Sequence, residues 1–62
     1  MKIKEEWTYE EFIDLLGEAE TNASSGWEMD FVEDMRERFA KWGTDMLLSD
    51  KQVEQLKRIA GA

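Results

Sequence analysis

Apolar residues recur at three- and four-residue spacing in three stretches of the chain, separated by short polar runs. In the middle stretch, residues 27–42, Phe31, Met35 and Phe39 fall every four residues, and Val32 and Trp42 widen the same face. Such spacing places side chains on one stripe of a helix. The stretch has no Pro and no internal Gly, and Gly43 follows it directly, a residue suited to the left-handed conformation that closes helices. Its charges suit the helix dipole, with Glu28, Asp30, Glu33 and Asp34 early and Arg36, Arg38 and Lys41 late.

The helix starts are spelled out locally. Thr8 followed by Glu11, and Ser49 followed by Gln52, have the form of capping boxes, and Ser25 followed by Glu28 repeats it, with Ser24 a competing cap. Trp7 with Phe12, and Leu48 with Val53, are placed as hydrophobic staples. The pattern therefore predicts an all-α, three-helix domain spanning residues 1–62, with helices at about 9–20, 26–42 and 50–60. The expected buried faces are Phe12, Ile13, Leu16 and Ala19 on the first helix and Val53, Leu56, Ile59 and Ala60 on the third. Residues 1–7 read as a short N-terminal arm, because Lys-Ile-Lys has no evident strand partner. Gly17 interrupts the first helix, either to admit a close neighbour or as an early fraying point.

Composition narrows the function more by exclusion than by suggestion. A chain of 62 residues has a marginal core, since a domain of this size buries only about 60% of its unfolded surface. It has no Cys and no His, so disulfides, His/Cys zinc sites and the usual catalytic bases and nucleophiles are missing. Asp30, Glu33, Asp34 and Glu37 could gather a hard cation, but nothing resembles a calcium-binding loop. Neither a metal site, a cofactor nor an enzymatic activity is expected. No membrane-length apolar segment and no signal-peptide pattern is present, and a cytoplasmic protein is expected.

The charge is more informative. Residues 5–34 carry eleven acidic residues and no Lys or Arg, whereas residues 35–62 carry four acidic and six basic ones, within a net charge of −7. Glu10, Asp14 and Glu18 stack like charges one turn apart, at a cost of about 0.2–0.5 kcal/mol per pair. Further along, Asp34–Arg38 and Glu37–Lys41 have the spacing of compensating pairs, as has Glu54 with Lys57 and Arg58. One reading of the acidic excess is solubility. The sharper reading is a partner-binding face made of Glu10, Asp14, Glu18, Asp30, Glu33 and Asp34. Carboxylates spaced about 5–6 Å apart approximate the phosphate repeat of a nucleic-acid strand. The partner would then be a protein with a basic, nucleic-acid-binding surface. Direct nucleic-acid binding is not expected, because the overall charge opposes it. A DNA-processing accessory protein using Arg36, Arg38, Lys57 and Arg58 is nevertheless a further alternative.

The aromatic residues admit two readings as well. Trp27, Phe31, Phe39 and Trp42 at helical spacing suit a core. Seven aromatics are many for three short helices, so Trp7, Trp27 or Trp42 is also a candidate apolar anchor, in a monomer or a homodimer.

The runs WEMDFVEDMRERF (27–39) and LSDKQVEQLKRI (48–59) resemble a helical segment of phage- and prophage-encoded proteins, several of them linked to DNA processing. Small acidic phage proteins of this kind include host-defence inhibitors such as anti-CRISPR proteins. The resemblance implies a non-enzymatic inhibitor that blocks nucleic-acid access. It carries over no catalytic residue, because the zinc-ribbon and enzymatic modules that accompany such segments are missing here.

Overall fold

The computed structural model describes residues 1–61 and builds them from three helices, α1 (Tyr9–Asn22), α2 (Gly26–Trp42) and α3 (Asp50–Ala60). Ala62, assigned by the sequence to the same domain, lies outside the described residues. Single-turn 3-10 segments occupy Ile3–Glu5 and Gly43–Asp45.

Each helix begins at a side-chain cap. The Glu11 N–H donates to the Thr8 hydroxyl at 3.2 Å, and the Thr8 N–H donates back to the Glu11 carboxylate at 2.9 Å. Ser49 and Gln52 repeat this at 3.1 and 3.0 Å. At α2 the box is displaced by one residue. Ser25 accepts the Glu28 N–H at 3.1 Å, but the Glu28 carboxylate takes the N–H and hydroxyl of Ser24, at 3.0 and 3.2 Å. Ser25 is therefore the cap, and Ser24 anchors the Glu28 carboxylate. Gly43 (φ 59°) and Gly61 (φ 79°) close α2 and α3 with the positive φ that glycine tolerates. α1 continues two residues beyond the predicted end, and the Asn22 amide donates to the Ala60 carbonyl at 3.1 Å, an orphan acceptor at the end of α3.

The helices share one core of Phe12, Leu16, Ala19, Val32, Met35, Phe39, Val53, Leu56, Ile59 and Ala60, joined by Ile3, Met46 and Leu48. α1 packs against both α2 and α3. Aromatic rings join α1 to α2, with Phe12 meeting Phe39 at 4.8 Å and Tyr9 covering Phe39 at 5.0 Å, and Trp7, before α1, meets Phe12 edge-on at 5.4 Å. The buried face of α3 is the predicted one.

Three expectations change. Ile13 is 45% exposed, and Leu15 packs against the core in its place. Phe31 is half-buried, while Trp27 and Trp42 stand 56% and 58% exposed outside the core. Residues 1–7 are not a loose arm. Ile3 is fully buried; its N–H donates to the Met46 carbonyl at 3.1 Å, and the Leu48 N–H donates to Met1 at 2.9 Å. The missing strand partner is the segment before α3, where Lys2 and Leu47 form an isolated antiparallel bridge. Met46 and Leu48 point inward and Leu47 outward, the alternation expected of extended chain. Among the described residues, no helix is long and apolar enough to cross a membrane.

Candidate partner-binding surface

The six acidic candidates are all exposed. On α1, Glu10, Asp14 and Glu18 form a row about 160° round the helix from Phe12, Leu16 and Ala19, taking about 100° per residue. They therefore point directly away from the core. On α2, Asp30 and Asp34 likewise lie opposite Val32, Met35 and Phe39. Glu33 lies elsewhere, on the flank of α2 that faces α1, where it lines a cleft with Glu20, Ala23, Met29, Val32 and Arg36. The candidates thus form two outward rows with Glu33 between them, not one continuous face.

Among the described residues, ion pairing engages four carboxylates, Glu6, Glu20, Glu28 and Asp45, and leaves Glu5, Glu11, Glu37, Asp50 and Glu54 unpaired along with the six candidates. The pairs are Lys4–Asp45 at 3.0 Å, Arg36–Glu20, Lys57–Glu6 at 3.1 Å and Arg58–Glu28 at 3.4 Å. None involves any of the six. The expected local pairs Asp34–Arg38, Glu37–Lys41 and Glu54 with Lys57 or Arg58 do not form. Arg38 instead donates to the Leu47 carbonyl at 3.0 Å, Lys41 lies over the Trp42 ring at 5.3 Å, and Arg58 reaches Gln55 as well as Glu28. Lys4, Arg36, Lys57 and Arg58 thus join parts of the chain distant in sequence, and none of them reaches the outward carboxylates.

Two carboxyls have perturbed acidities, and both are structural. Glu28 is held below its ordinary value, first by the Ser24 N–H, with further help from the Ser24 hydroxyl, Ser25 and Arg58. Asp45 is lowered by its hydrogen bond and charge interaction with Lys4. Among the described residues, no group of three or more metal-ligating side chains converges.

The tryptophans divide. Trp7 is half-buried on Phe12, with Lys57 Nζ 5.5 Å from its ring centre, so it is part of the fold. Trp27 stacks on Phe31 at 5.5 Å, and Trp42 borders a cleft with Lys2, Arg38, Asp45, Met46 and Leu47. These two remain available as anchors.

A third cleft runs along the seam between α1 and α2, and no sequence signal marked it. Tyr9, Ile13, Leu16, Gly17, Glu20, Arg36, Phe39 and Ala40 line it, enclosing about 330 Å³. The Arg36–Glu20 pair spans it. The available hint was the surplus of apolar positions on α1: Phe12, Ile13, Leu15, Leu16 and Ala19 cover more of the helix than one contact can bury. No family model, curated protein or solved structure matches the chain.

Proposed function

We propose that this chain is a non-enzymatic binding protein whose outward acidic rows engage a cationic surface of a nucleic-acid-binding protein, inhibiting that protein by occupying its nucleic-acid site. The observation that carries this reading is the alignment of Glu10, Asp14 and Glu18 on α1 and of Asp30 and Asp34 on α2 in exposed rows opposite the core, with no ion-pair partner for these or for Glu33 among the described residues. Carboxylates carried on helices and without an internal partner keep their attraction for an external cation and steer its approach. The resemblance of residues 27–39 and 48–59 to phage-encoded helical proteins is in keeping with an inhibitor of the anti-CRISPR kind. Arg36, Arg38, Lys57 and Arg58 are all engaged within the fold, which counts against direct use of these residues on DNA.

The test is a pull-down from host lysate with wild-type protein and with Glu10→Lys/Asp14→Lys/Glu18→Lys, eluted by a salt gradient. The captured protein should bind nucleic acid, elute with rising salt and be missing from the variant. Retention of the same partner by the variant at moderate salt would sink the proposal.

The exposure of Trp27 and Trp42 favours a second reading, an interaction module with apolar contacts. Its binding would resist salt and fail on Trp27→Ala or Trp42→Ala.

A further inference from the structure

We infer that the cleft between α1 and α2 is a docking groove for a cationic amphipathic helix of a protein partner. This rests on the acidic-surface reading for the sign of the partner's charge, and adds where and in what form it binds.

The first observation is the placement of exposed apolar side chains. Tyr9 and Ile13, 55% and 45% exposed, stand one turn apart on α1 and line the cleft at one end. Met29, 54% exposed, lines its continuation at the other end beside Ala23 and Val32. Gly17 continues the Tyr9–Ile13 row by one more turn. A Cβ built there meets nothing within 4 Å, so no neighbour in the fold requires the missing side chain. A glycine in mid-helix lowers helix stability, and here it leaves a hollow opposite Ala40. Two apolar ridges followed by a hollow are what an incoming helix needs to seat side chains between its own turns.

Charge identifies the occupant. Asp14 neighbours Ile13 and Gly17 on the outer side of α1, and Glu33 lines the Met29 end of the seam on α2. A second copy of the chain would bring equal carboxylates against these. A helix with an apolar stripe flanked by Lys or Arg would fill the groove and neutralise its margins together. Arg36 is the one cation lining the cleft, and it is held across it by Glu20.

The probes are a synthetic amphipathic helix of about 18 residues made from Leu and Lys, and an oligolysine with the same number of lysines. Titration of the full chain should show the amphipathic peptide binding about tenfold more tightly than oligolysine, with amide shifts at Ile13, Gly17, Met29 and Ala40. Gly17→Leu fills the hollow from a Cβ position that meets no neighbour, and Ile13→Ser removes an exposed apolar side chain. Either should bring amphipathic affinity down to that of oligolysine while leaving oligolysine binding unchanged. Equal affinity of the two peptides would overturn the groove and leave the acidic surface standing. Binding of neither would overturn both. Amphipathic binding that survives Gly17→Leu but is lost in Trp27→Ala or Trp42→Ala would place the contact on the opposite flank of α2 and overturn the groove.

Discussion

Ile3 and Met46 are joined by a 3.1 Å backbone hydrogen bond, and both side chains are sealed in the core. The start of the chain is therefore part of the hydrophobic interior. Ile3→Ala should lower unfolding free energy by about 2–5 kcal/mol, a large fraction of what a domain this small holds. Chemical denaturation measures it; a loss below about 1 kcal/mol would mean the segment is dispensable.

Gly17→Ala should raise stability by about 1 kcal/mol, because a helix interior prefers Ala and the added methyl meets no neighbour. The midpoint of thermal unfolding should rise by several degrees, about 4–8 °C per kcal/mol for a domain of this length. A fall would show that the glycine relieves a close approach.

Neutralising the outward row of α1, as Glu10→Gln/Asp14→Asn/Glu18→Gln, removes two like-charge contacts one turn apart. Stability at low ionic strength should rise by about 0.5–1 kcal/mol, and the gap should shrink in high salt. A loss of stability at low salt would show that these carboxylates have favourable partners within the fold.

Acid should weaken the fold through Glu28 and Asp45. Both carboxyls titrate below their ordinary values of 4.5 and 3.8, so the folded state favours their charged forms. Their contribution is complete above the unfolded values and disappears as pH falls through the lower, folded ones. In high salt, where the repulsion along the α1 row is screened, thermal midpoints between pH 7 and pH 3 should decline on the acid side. Glu28→Gln should be less stable near neutrality and show a shallower acid decline; an unchanged slope would remove Glu28 from the account.

How much of this was legible depended on whether the cause was local. Thr8–Glu11 and Ser49–Gln52 are contacts within four residues, so their spelling located the starts of α1 and α3. α3 buries Val53, Leu56, Ile59 and Ala60 as expected because it has one narrow apolar stripe. α1 has a broader one, and packing against α3 as well as α2 selects Leu15 over Ile13, a choice made by neighbours distant in sequence. Trp42 belongs to the apolar stripe of α2 by spacing, yet it is the last helical residue, where the chain leaves the core through Gly43. The outward direction of Glu10, Asp14 and Glu18 follows from periodicity alone. That Arg36, Lys57 and Arg58 would reach Glu20, Glu6 and Glu28 does not, because nearer partners of the right spacing were present for each. Nor did spacing reveal the cleft, which exists only where two helices meet.

The pairing of residue 1 with residue 48 also orders the folding reaction. The helices need only contacts within a turn, whereas this stitch, from the Met1 amino group to the Leu48 carbonyl at 2.7 Å, closes a separation of 47 residues. Loop closure of that span carries its entropic cost before any contact rewards it, so the stitch should be acquired late. Ile3→Ala should accordingly speed unfolding while leaving the refolding rate almost unchanged. The first residues of the chain would then act as the fastening that sets how long the folded state lasts.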